Sequence, residues 1–405
     1  MVLAWQTGTM TRVLIVGAGI IGLATAYQLA QRGAEVTVLD RSGVAAGASW
    51  GNAGWVCPGL ATPLAAPGGW RHGIDAVTKP HAPLTFSRIT PALTVFLAKF
   101  ASHMTERRFH AALRDNAGLA RQALPAFDRL AEAGLESPVH RADYTIGAED
   151  NDTIVKFDLE LDQIAELGID VGSYRIDPAT VPYFSNRITA ALSVTGQAYI
   201  DPGEYCQALA ALAEQSGVQI ITDAEVVAGH AGSDSVSVVD RTGRAFTADE
   251  LVVAAGAWSD DVLRAICGRR ATTGQASGRG YSFTVDADSA HLPDGPVYLP
   301  AQRVVLTPYQ GAIRVAGTME FADPDAPPRP GRIEAIIAQI SPLLNGIDLT
   351  GTRDHWVGPR PVSTDGRPVT RRIADRVTAA TGHGMWGVVF GPITGEVVAE
   401  QLLGP

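Results

Sequence analysis

Cysteine is scarce in this chain of 405 residues, and its scarcity argues against two kinds of scaffold. The three cysteines, Cys57, Cys206 and Cys267, are far apart, odd in number and not clustered with histidines. They support neither a disulfide framework nor a zinc site. Free thiols suit a reducing compartment, so we expect a cytoplasmic protein.

Long hydrophobic runs and clusters of basic residues are also lacking. No stretch reaches 18 uninterrupted apolar residues, so we expect no membrane span. The net charge is −10 without grouped Lys and Arg, which argues against a nucleic-acid partner. Residues 1–10 have neither the basic start nor the apolar core of a secretory signal, and we expect a disordered leader there. No Ser/His/Asp triad, carboxylate pair or metal-ligand cluster stands out.

A glycine-rich turn near the start of the chain carries the most specific motif. The run Gly17-Ala18-Gly19-Ile20-Ile21-Gly22 matches G-x-G-x-x-G. An apolar strand pattern at Val13–Val16 precedes it, and a helical pattern over Ile20–Gln31 follows. A second strand pattern, Glu35–Asp40, ends on an acid. This context is typical of a dinucleotide-binding unit.

Each part of that motif has a physical role. Gly17 permits the tight turn, Gly19 lets the backbone approach a pyrophosphate, and Gly22 lets the helix pack on the strand. The helix N-terminus offers free N–H groups and a positive dipole to the phosphates. Asp40 can accept hydrogen bonds from ribose hydroxyls, while Arg41 is either an adenine-side contact or a solvated surface residue. The motif alone does not distinguish FAD from NAD.

The remaining pattern predicts an α/β fold. Strand and helix patterns of the β-α-β kind recur over residues 11–56, about 198–268 and about 360–405, separated by two insertions. We predict a discontinuous Rossmann-like nucleotide domain over residues 11–85, 198–268 and 359–405. The insertions, 86–197 and 269–358, are predicted to form an α+β substrate domain on a mixed or antiparallel sheet.

Several local features are predicted as well. The Gly- and Pro-rich stretch Ser42–Gly73 is expected to be a long functional loop. Helices are predicted at Pro91–His110 and Arg114–Ala133, and a closing helix from Thr394 to Leu403. The apolar segment Leu93–Phe100 is either a core-facing helix face or a shallow membrane contact.

Further motifs follow one another in a specific order along the chain. They are Ser49-Trp50-Gly51-Asn52-Ala53-Gly54, His81-Ala82-Pro83-Leu84, the run LVVAAGAWS at residues 251–259, Gly280-Tyr281-Ser282, Gly358-Pro359-Arg360-Pro361 and Thr381-Gly382-His383-Gly384. On these motifs the chain resembles the D-amino acid oxidase superfamily of flavoenzymes, which includes glycine and sarcosine oxidases. Within it, the chain looks most like the D-amino acid dehydrogenases of the small-subunit type.

The resemblance implies an FAD cofactor and a set of residues around it. Ser49 is expected at the pyrophosphate, and Asn52, Ala53 and Gly54 at the flavin, although the Asn52 segment is otherwise an ordinary turn. The second strand and the C-terminal glycine loop are expected to hold the rest of the cofactor. Their residues are Ala255, Gly256 and Trp258, and Gly382, Gly384, Met385, Trp386 and Gly387. Val226, on a separate strand pattern, is also expected to contact the cofactor.

Three residues are candidates for the chemistry that the resemblance implies, oxidation of an amino acid by hydride transfer from the α-carbon to flavin N5. Arg360 is expected to bind the substrate carboxylate, or otherwise to form an interface ion pair. His383 is either a side chain acting at the flavin or a packed histidine. Tyr281 is a candidate pocket phenol or an ordinary strand tyrosine. The imine product then hydrolyses to a keto acid and ammonia.

Departures from the related oxidases refine this expectation. Residues Asp354–Arg360 contain no cysteine to tether a flavin, so FAD is expected to be non-covalent. No lysine follows His383-Gly384, which favours a dehydrogenase that passes electrons to a quinone or another carrier. The alternatives are a glycine, sarcosine or D-hydroxyproline-type enzyme, and a non-catalytic FAD-binding subunit of a hetero-oligomer. Peripheral contact with the inner face of the cytoplasmic membrane, and oligomerisation, stay open.

Overall fold

The computed structural model describes residues 10–69 and 82–404. The expected leader over residues 1–10 therefore lies almost wholly outside the described residues. So do His81 and the last part of the predicted loop Ser42–Gly73, residues 70–73.

The described residues form both helices and strands. The helices are α1 Ile20–Gln31, α2 Pro91–His103, α3 Glu106–Glu132, α4 Asn151–Ala165, α5 Pro202–Gln215, α6 Ser259–Cys267, α7 Arg332–Ile340 and α8 Gly387–Leu403. The strands are β1 Arg12–Val16, β2 Glu35–Leu39, β3 Trp55–Val56, β4 Leu84–Phe86, β5 His140–Arg141, β6 Tyr144–Ala148, β7 Gly172–Ile176, β8 Ala190–Thr195, β9 Ala198–Tyr199, β10 Gln219–Ile221, β11 Val226–Ala231, β12 Val236–Asp240, β13 Ala245–Ala248, β14 Glu250–Val253, β15 Ala276–Val285, β16 Val297–Leu299, β17 Val304–Tyr309, β18 Ala312–Phe321, β19 Arg353–Val362, β20 Val369–Ala374 and β21 Val377–Thr381.

One sheet, here called the nucleotide sheet, has the strand order β10-β2-β1-β14-β21-β20. Its strands are parallel except for β20, which pairs antiparallel with β21. The central strand β1 is buried apart from Arg12, as expected for a parallel sheet covered on both faces. Its register aligns Val16 with Leu39 and Val253, so three strands end side by side. Ligands of such sheets bind outside these carboxyl ends.

A second, larger sheet, here called the large sheet, follows the order β19-β15-β18-β17-β16-β6-β8-β7, with β4 paired to β18. Its pairs are antiparallel except β16–β6 and β18–β4. The predicted fold class is confirmed: an α/β nucleotide-binding region is interleaved with an α+β region on a mixed sheet. The domain boundaries stay a prediction, and the strands β4 and β19 cross two of them, at 85/86 and 358/359.

Small residues bring helices α1 and α8 into close contact. Gly391 and Gly395 lie one turn apart on α8. A Cβ on Gly391 would press against Ile20, and one on Gly395 would clash with the backbone of Ala24. Because the two helices pack this closely near their N-terminal halves, both helix N-termini reach the same end of the nucleotide sheet.

Two predicted helix boundaries differ from those observed. The break between α2 and α3 falls at Met104-Thr105 instead of after His110, because Thr105 caps α3 by accepting a hydrogen bond from the Arg108 N–H at 3.4 Å. The closing helix begins at Gly387 instead of Thr394, and Pro392 in its second turn does not interrupt it.

Candidate functional site: a dinucleotide cleft

A cleft of about 400 Å³ opens where the strands of the nucleotide sheet end. Val16, Leu39 and Ala254 line it at the ends of β1, β2 and β14. This volume is within the usual range for ligand sites. The predicted residues that line it are Gly17, Gly19, Ile20, Ile21, Asp40, Arg41, Ser49, Asn52, Val226, Ala255, Gly256, Trp258, Arg360, His383, Gly384 and Gly387.

The glycines of the first turn are required by its geometry. Gly17 has φ +116°, and a Cβ there would overlap the carbonyl of Ala254 on the neighbouring strand. A Cβ on Gly22 would overlap the carbonyl oxygen of Gly17, so Gly22 serves helix packing and does not line the cleft. The Ile20 N–H donates to Ser49 Oγ at 3.2 Å, which draws the Ser49 loop onto the start of α1.

The carboxylate of Asp40 accepts hydrogen bonds from the first turn and from the loop after β2. Its Oδ2 accepts a hydrogen bond from the Ala18 N–H at 2.8 Å. Its Oδ1 accepts from Ser42 N at 2.8 Å and from Gly43 N at 2.9 Å. The side chain thus ties the first turn to the loop after β2 while it lines the cleft.

Arg41 lies at the outer end of the cleft in a cluster that includes a residue not foreseen from sequence. Its guanidinium carbon lies 4.0 Å from the centre of the Trp258 ring, and its Nη2 is 2.9 Å from Asp325 Oδ1. The Trp258 Nε1–H donates to Asp325 Oδ2 at 3.0 Å. Burial alone would raise the pKa of Asp325, but the hydrogen bonds from Arg41 and Trp258 outweigh it and lower the pKa. Asp325 lies in a Pro-rich connection between β18 and α7, where no sequence motif points to a nucleotide site.

Arg360 lies near the end of β19, is half-buried, and lines the cleft. Its Nη1 donates to the Thr318 carbonyl at 3.2 Å. Among the described residues no carboxylate lies within ion-pair distance of it, and burial lowers its pKa to about 10. Arg360 is half-buried, and a cation partly withdrawn from water without a counter-ion is unfavourable. Since Arg360 also lines the cleft, an anionic ligand is the natural partner.

His383 is 4% exposed and borders the cleft beside the start of α8. Its Nε2 is 3.0 Å from Thr394 Oγ1, while Nδ1 has no partner among the described residues. Burial lowers its pKa to about 3, so the ring is neutral at physiological pH. The N-terminus of α8 has no side-chain cap, so no side chain competes with a ligand for its first N–H groups.

Gly256 and Gly384 support the fit of a bulky ligand in this cleft. Both adopt a left-handed backbone, with φ +55° and +58°, and the space that a Cβ would need is empty at each. With the glycine turn at α1 and the uncapped start of α8, they form a cradle with backbone donors at two places. This arrangement matches a long cofactor with a diphosphate and a polar ring.

Other predicted cofactor residues lie beside the cleft without lining it. Gly54 has φ +75°, and a Cβ there would clash with the Ile200 carbonyl. Its N–H donates to Asn52 Oδ1 at 3.0 Å, as in an ordinary turn. Ala53 packs against an apolar core cluster. Gly382, Met385 and Trp386 border a small neighbouring cavity, and the Trp386 indole donates to the Thr62 carbonyl at 2.7 Å.

Tyr281 is not brought to the cleft. It is 2% exposed, and its hydroxyl lies 2.6 Å from Glu320 Oε2 and 3.0 Å from the Arg329 N–H, which donates to it. The Tyr281 hydroxyl thus has both an acceptor and a donor partner within the large sheet, and its position gives no support for a catalytic role.

The apolar helix α2 buries Phe96 and Phe100, while Val95 on the same helix is exposed.

Fold and cleft together define a Rossmann-type dinucleotide-binding protein. A family model described as FAD dependent oxidoreductase (DAO) matches residues 12–401, and the chain belongs to this family. FAD is therefore its cofactor, and the cradle described above fits it.

No helix among the described residues is long and apolar enough to cross a membrane, and those residues hold no group of three or more potential metal ligands.

Individual relatives agree with this assignment. The chain is 30% identical over 97% of its length, and 92% of the relative's, to a protein named D-amino acid dehydrogenase from Cereibacter sphaeroides. Its fold matches that of a glycine oxidase from Bacillus cereus with a TM-score of 0.70 at 21% identity, covering 97% of this chain and 95% of that one. It also matches an FAD-bound L-alpha-glycerophosphate oxidase from Mycoplasma pneumoniae with a TM-score of 0.74 at 19% identity, covering 98% and 95%.

Proposed function

We propose that this protein oxidises an amino acid, with a D-amino acid as the preferred class, to an imine that water converts to a keto acid and ammonia. The observation that carries the proposal is the position of Arg360. Its guanidinium borders the FAD cleft without a carboxylate partner among the described residues. The name of the relative from Cereibacter sphaeroides supports the choice of a D-amino acid.

Arg360 binds the substrate carboxylate in this proposal. A guanidinium can grip a carboxylate with two parallel hydrogen bonds, which fixes the position of the α-carbon. The pairing also removes the energetic cost of an uncompensated cation inside the protein. FAD, when bound, supplies the acceptor for the hydride that leaves the α-carbon.

The surroundings of Arg360 favour the neutral form of the substrate amine. Pro359 and Pro361 flank it in the chain, and Ala380 and Val388 are further apolar residues that line the cleft. A poorly solvated site disfavours an ammonium ion, and the neighbouring guanidinium repels it further. Both effects lower the amine pKa, so the lone pair needed to form the imine becomes available without a dedicated base.

His383 and the start of α8 serve the cofactor in this proposal. A histidine with a pKa of about 3 carries no charge at neutral pH, and its Nδ1 has no hydrogen-bond partner among the described residues. The uncapped N-terminus of α8 adds backbone donors and a positive dipole end. Such donors stabilise negative charge that develops near them.

We further propose that FAD is bound without a covalent link and that its electrons pass to a quinone or another carrier instead of oxygen. The cleft-lining residues of the described chain include no cysteine and no lysine. After acid precipitation, a non-covalent flavin stays in the supernatant. Reoxidation of the reduced protein should be slow in air and fast with a soluble quinone analogue.

A substrate series under anaerobic conditions tests the central proposal. D-alanine and other D-amino acids should bleach the flavin absorbance, whereas their L-enantiomers, as matched controls, should not. Bleaching by glycine, sarcosine or D-hydroxyproline instead would support the alternative substrates. Absence of bleaching by any amino compound would support a non-catalytic FAD-binding role within a hetero-oligomer and would overturn the proposal.

Localisation follows from the acceptor. We propose a cytoplasmic protein that contacts the inner face of the cytoplasmic membrane when a membrane quinone is the acceptor. Co-flotation with liposomes measures this contact. Failure to float, together with fast reduction of a soluble carrier, would rule it out.

A further inference from the structure

A surface aspartate is held against the outer end of the cleft by contacts of two kinds. One oxygen of Asp325 accepts a hydrogen bond from Arg41, and the other accepts one from the Trp258 indole. The guanidinium carbon of Arg41 also lies over the Trp258 ring, 4.0 Å from its centre. All three residues line the cleft, next to the Asp40 end where a ribose binds in such sheets.

These three residues come from two different sheets. Arg41 follows β2 and Trp258 follows β14, both in the nucleotide sheet. Asp325 follows β18, which belongs to the large sheet. The cluster is therefore a bridge between the two structural regions across the nucleoside end of the cleft.

The segment that carries Asp325 is anchored by buried charges that the proposed chemistry does not use. Arg279 is 1% exposed, and its guanidinium donates to the carbonyls of Ala326 and Pro327. Its counter-ion is Glu320, which is 0% exposed, at 2.7 Å. Arg279 thus joins the ion pair to the backbone immediately after Asp325.

Tyr281 extends the same anchor. Its hydroxyl donates to Glu320 at 2.6 Å and accepts from the Arg329 N–H at 3.0 Å. The hydroxyl of Ser87 is a third donor to Glu320, after Arg279 and Tyr281. Separating a buried ion pair leaves an uncompensated charge inside the protein, so this pair favours the arrangement of the chain that keeps Arg279 and Glu320 together. The arrangement specified here presents Asp325 to Arg41 and Trp258.

We propose that Asp325 is a latch residue that retains FAD by fixing Arg41 and Trp258 over the nucleoside end of the cleft. FAD leaves or enters when this contact opens. The inference concerns cofactor retention and does not depend on which substrate is oxidised. The rate of FAD release can therefore confirm or contradict this proposal whether or not the protein oxidises amino acids.

The test is the rate of FAD release, followed by the rise in flavin fluorescence after dilution of the holoprotein. Asp325→Asn keeps the shape but removes the charge, and should speed release about five- to tenfold, in line with the loss of an ion pair and a charge-assisted hydrogen bond. Trp258→Phe keeps an aromatic ring but removes the indole donor, and should speed release about two- to fivefold.

Asp286→Asn is the matched control, because Asp286 forms an exposed ion pair with Arg353 at 2.6 Å and does not line the cleft. It should leave the release rate unchanged. In an Arg41→Gln background, Asp325→Asn should add less than twofold, because its main partner is already lost. Unchanged release in both the Asp325 and Trp258 variants, or equal acceleration in the Asp286 control, would overturn the latch.

Discussion

The guanidinium of Arg360 lies over Gly280, across the pairing of β19 with β15. A Cβ added to Gly280 would overlap the guanidinium atoms. In the register of β15 with β19, Arg360 lies opposite Gly278, and Gly280 lies opposite Gly358. The residues nearest the Cα of Arg360 across this pairing are therefore glycines. Because Gly280 has no side chain, the Arg360 side chain can extend across β15 and line the cleft.

Gly280→Ala should displace the Arg360 side chain and lower kcat/KM for amino acids about 10- to 100-fold, because misplacement of a positioning group by a fraction of an ångström is costly. Steady-state kinetics with a dye acceptor measures the effect. Gly118→Ala is the control, since Gly118 lies on helix α3 with open space where its Cβ would be. Equal kinetics in the Gly280 and Gly118 variants would contradict the role assigned to this contact.

Arg360→Lys should lower kcat/KM for amino acids at least about 100-fold, because a lysine cannot reproduce the two parallel hydrogen bonds of a guanidinium. Amines that lack a carboxylate should lose much less. The measurement is a paired comparison of an amino acid with the corresponding amine. A similar loss for both would assign Arg360 a structural role instead.

His383 makes stability depend on pH in a predictable direction. Its pKa is about 3 in the folded protein, lowered from 6.5 by burial. Between these values the unfolded chain binds one more proton, so the free energy of unfolding falls as pH decreases below about 6.5. At pH 5 the expected loss relative to neutral pH is about 2 kcal/mol from this residue.

Urea unfolding of the wild type and of His383→Gln at pH 7.5 and pH 5 measures this contribution. The variant should lose about 2 kcal/mol less than the wild type over that interval. Comparison of the two proteins cancels the titration of other groups. An identical pH dependence in both would show that the ring is not held neutral by the fold.

Gly395→Ala should destabilise the protein by about 1–3 kcal/mol, because the added methyl group would push α8 away from the backbone of Ala24. It should also weaken FAD binding, since the N-termini of both helices face the cleft. Thermal unfolding and flavin titration measure the two effects. Gly118→Ala is again the control and should be neutral or slightly stabilising. Unchanged stability in Gly395→Ala would show that the helices tolerate a wider separation.

Much of the nucleotide site could be predicted because its signals are local. The turn at Gly17, the bounds of helix α1 and the acid at Asp40 lie within one β-α-β unit, and the structure places them as expected. Helix boundaries near Met104 and Gly387 were missed because capping and packing, not hydrophobic periodicity, decide where a helix starts.

By itself, the sequence determined the class of fold and the first half of the cofactor cradle, since strand, turn and helix preferences act between neighbouring residues. Only the tertiary structure decided that Asp325 meets Arg41 and that Tyr281 turns to Glu320. It also decided that Arg360 lies over Gly280. These contacts join segments far apart in the chain, and their geometry depends on how two sheets pack and on which buried charges find partners.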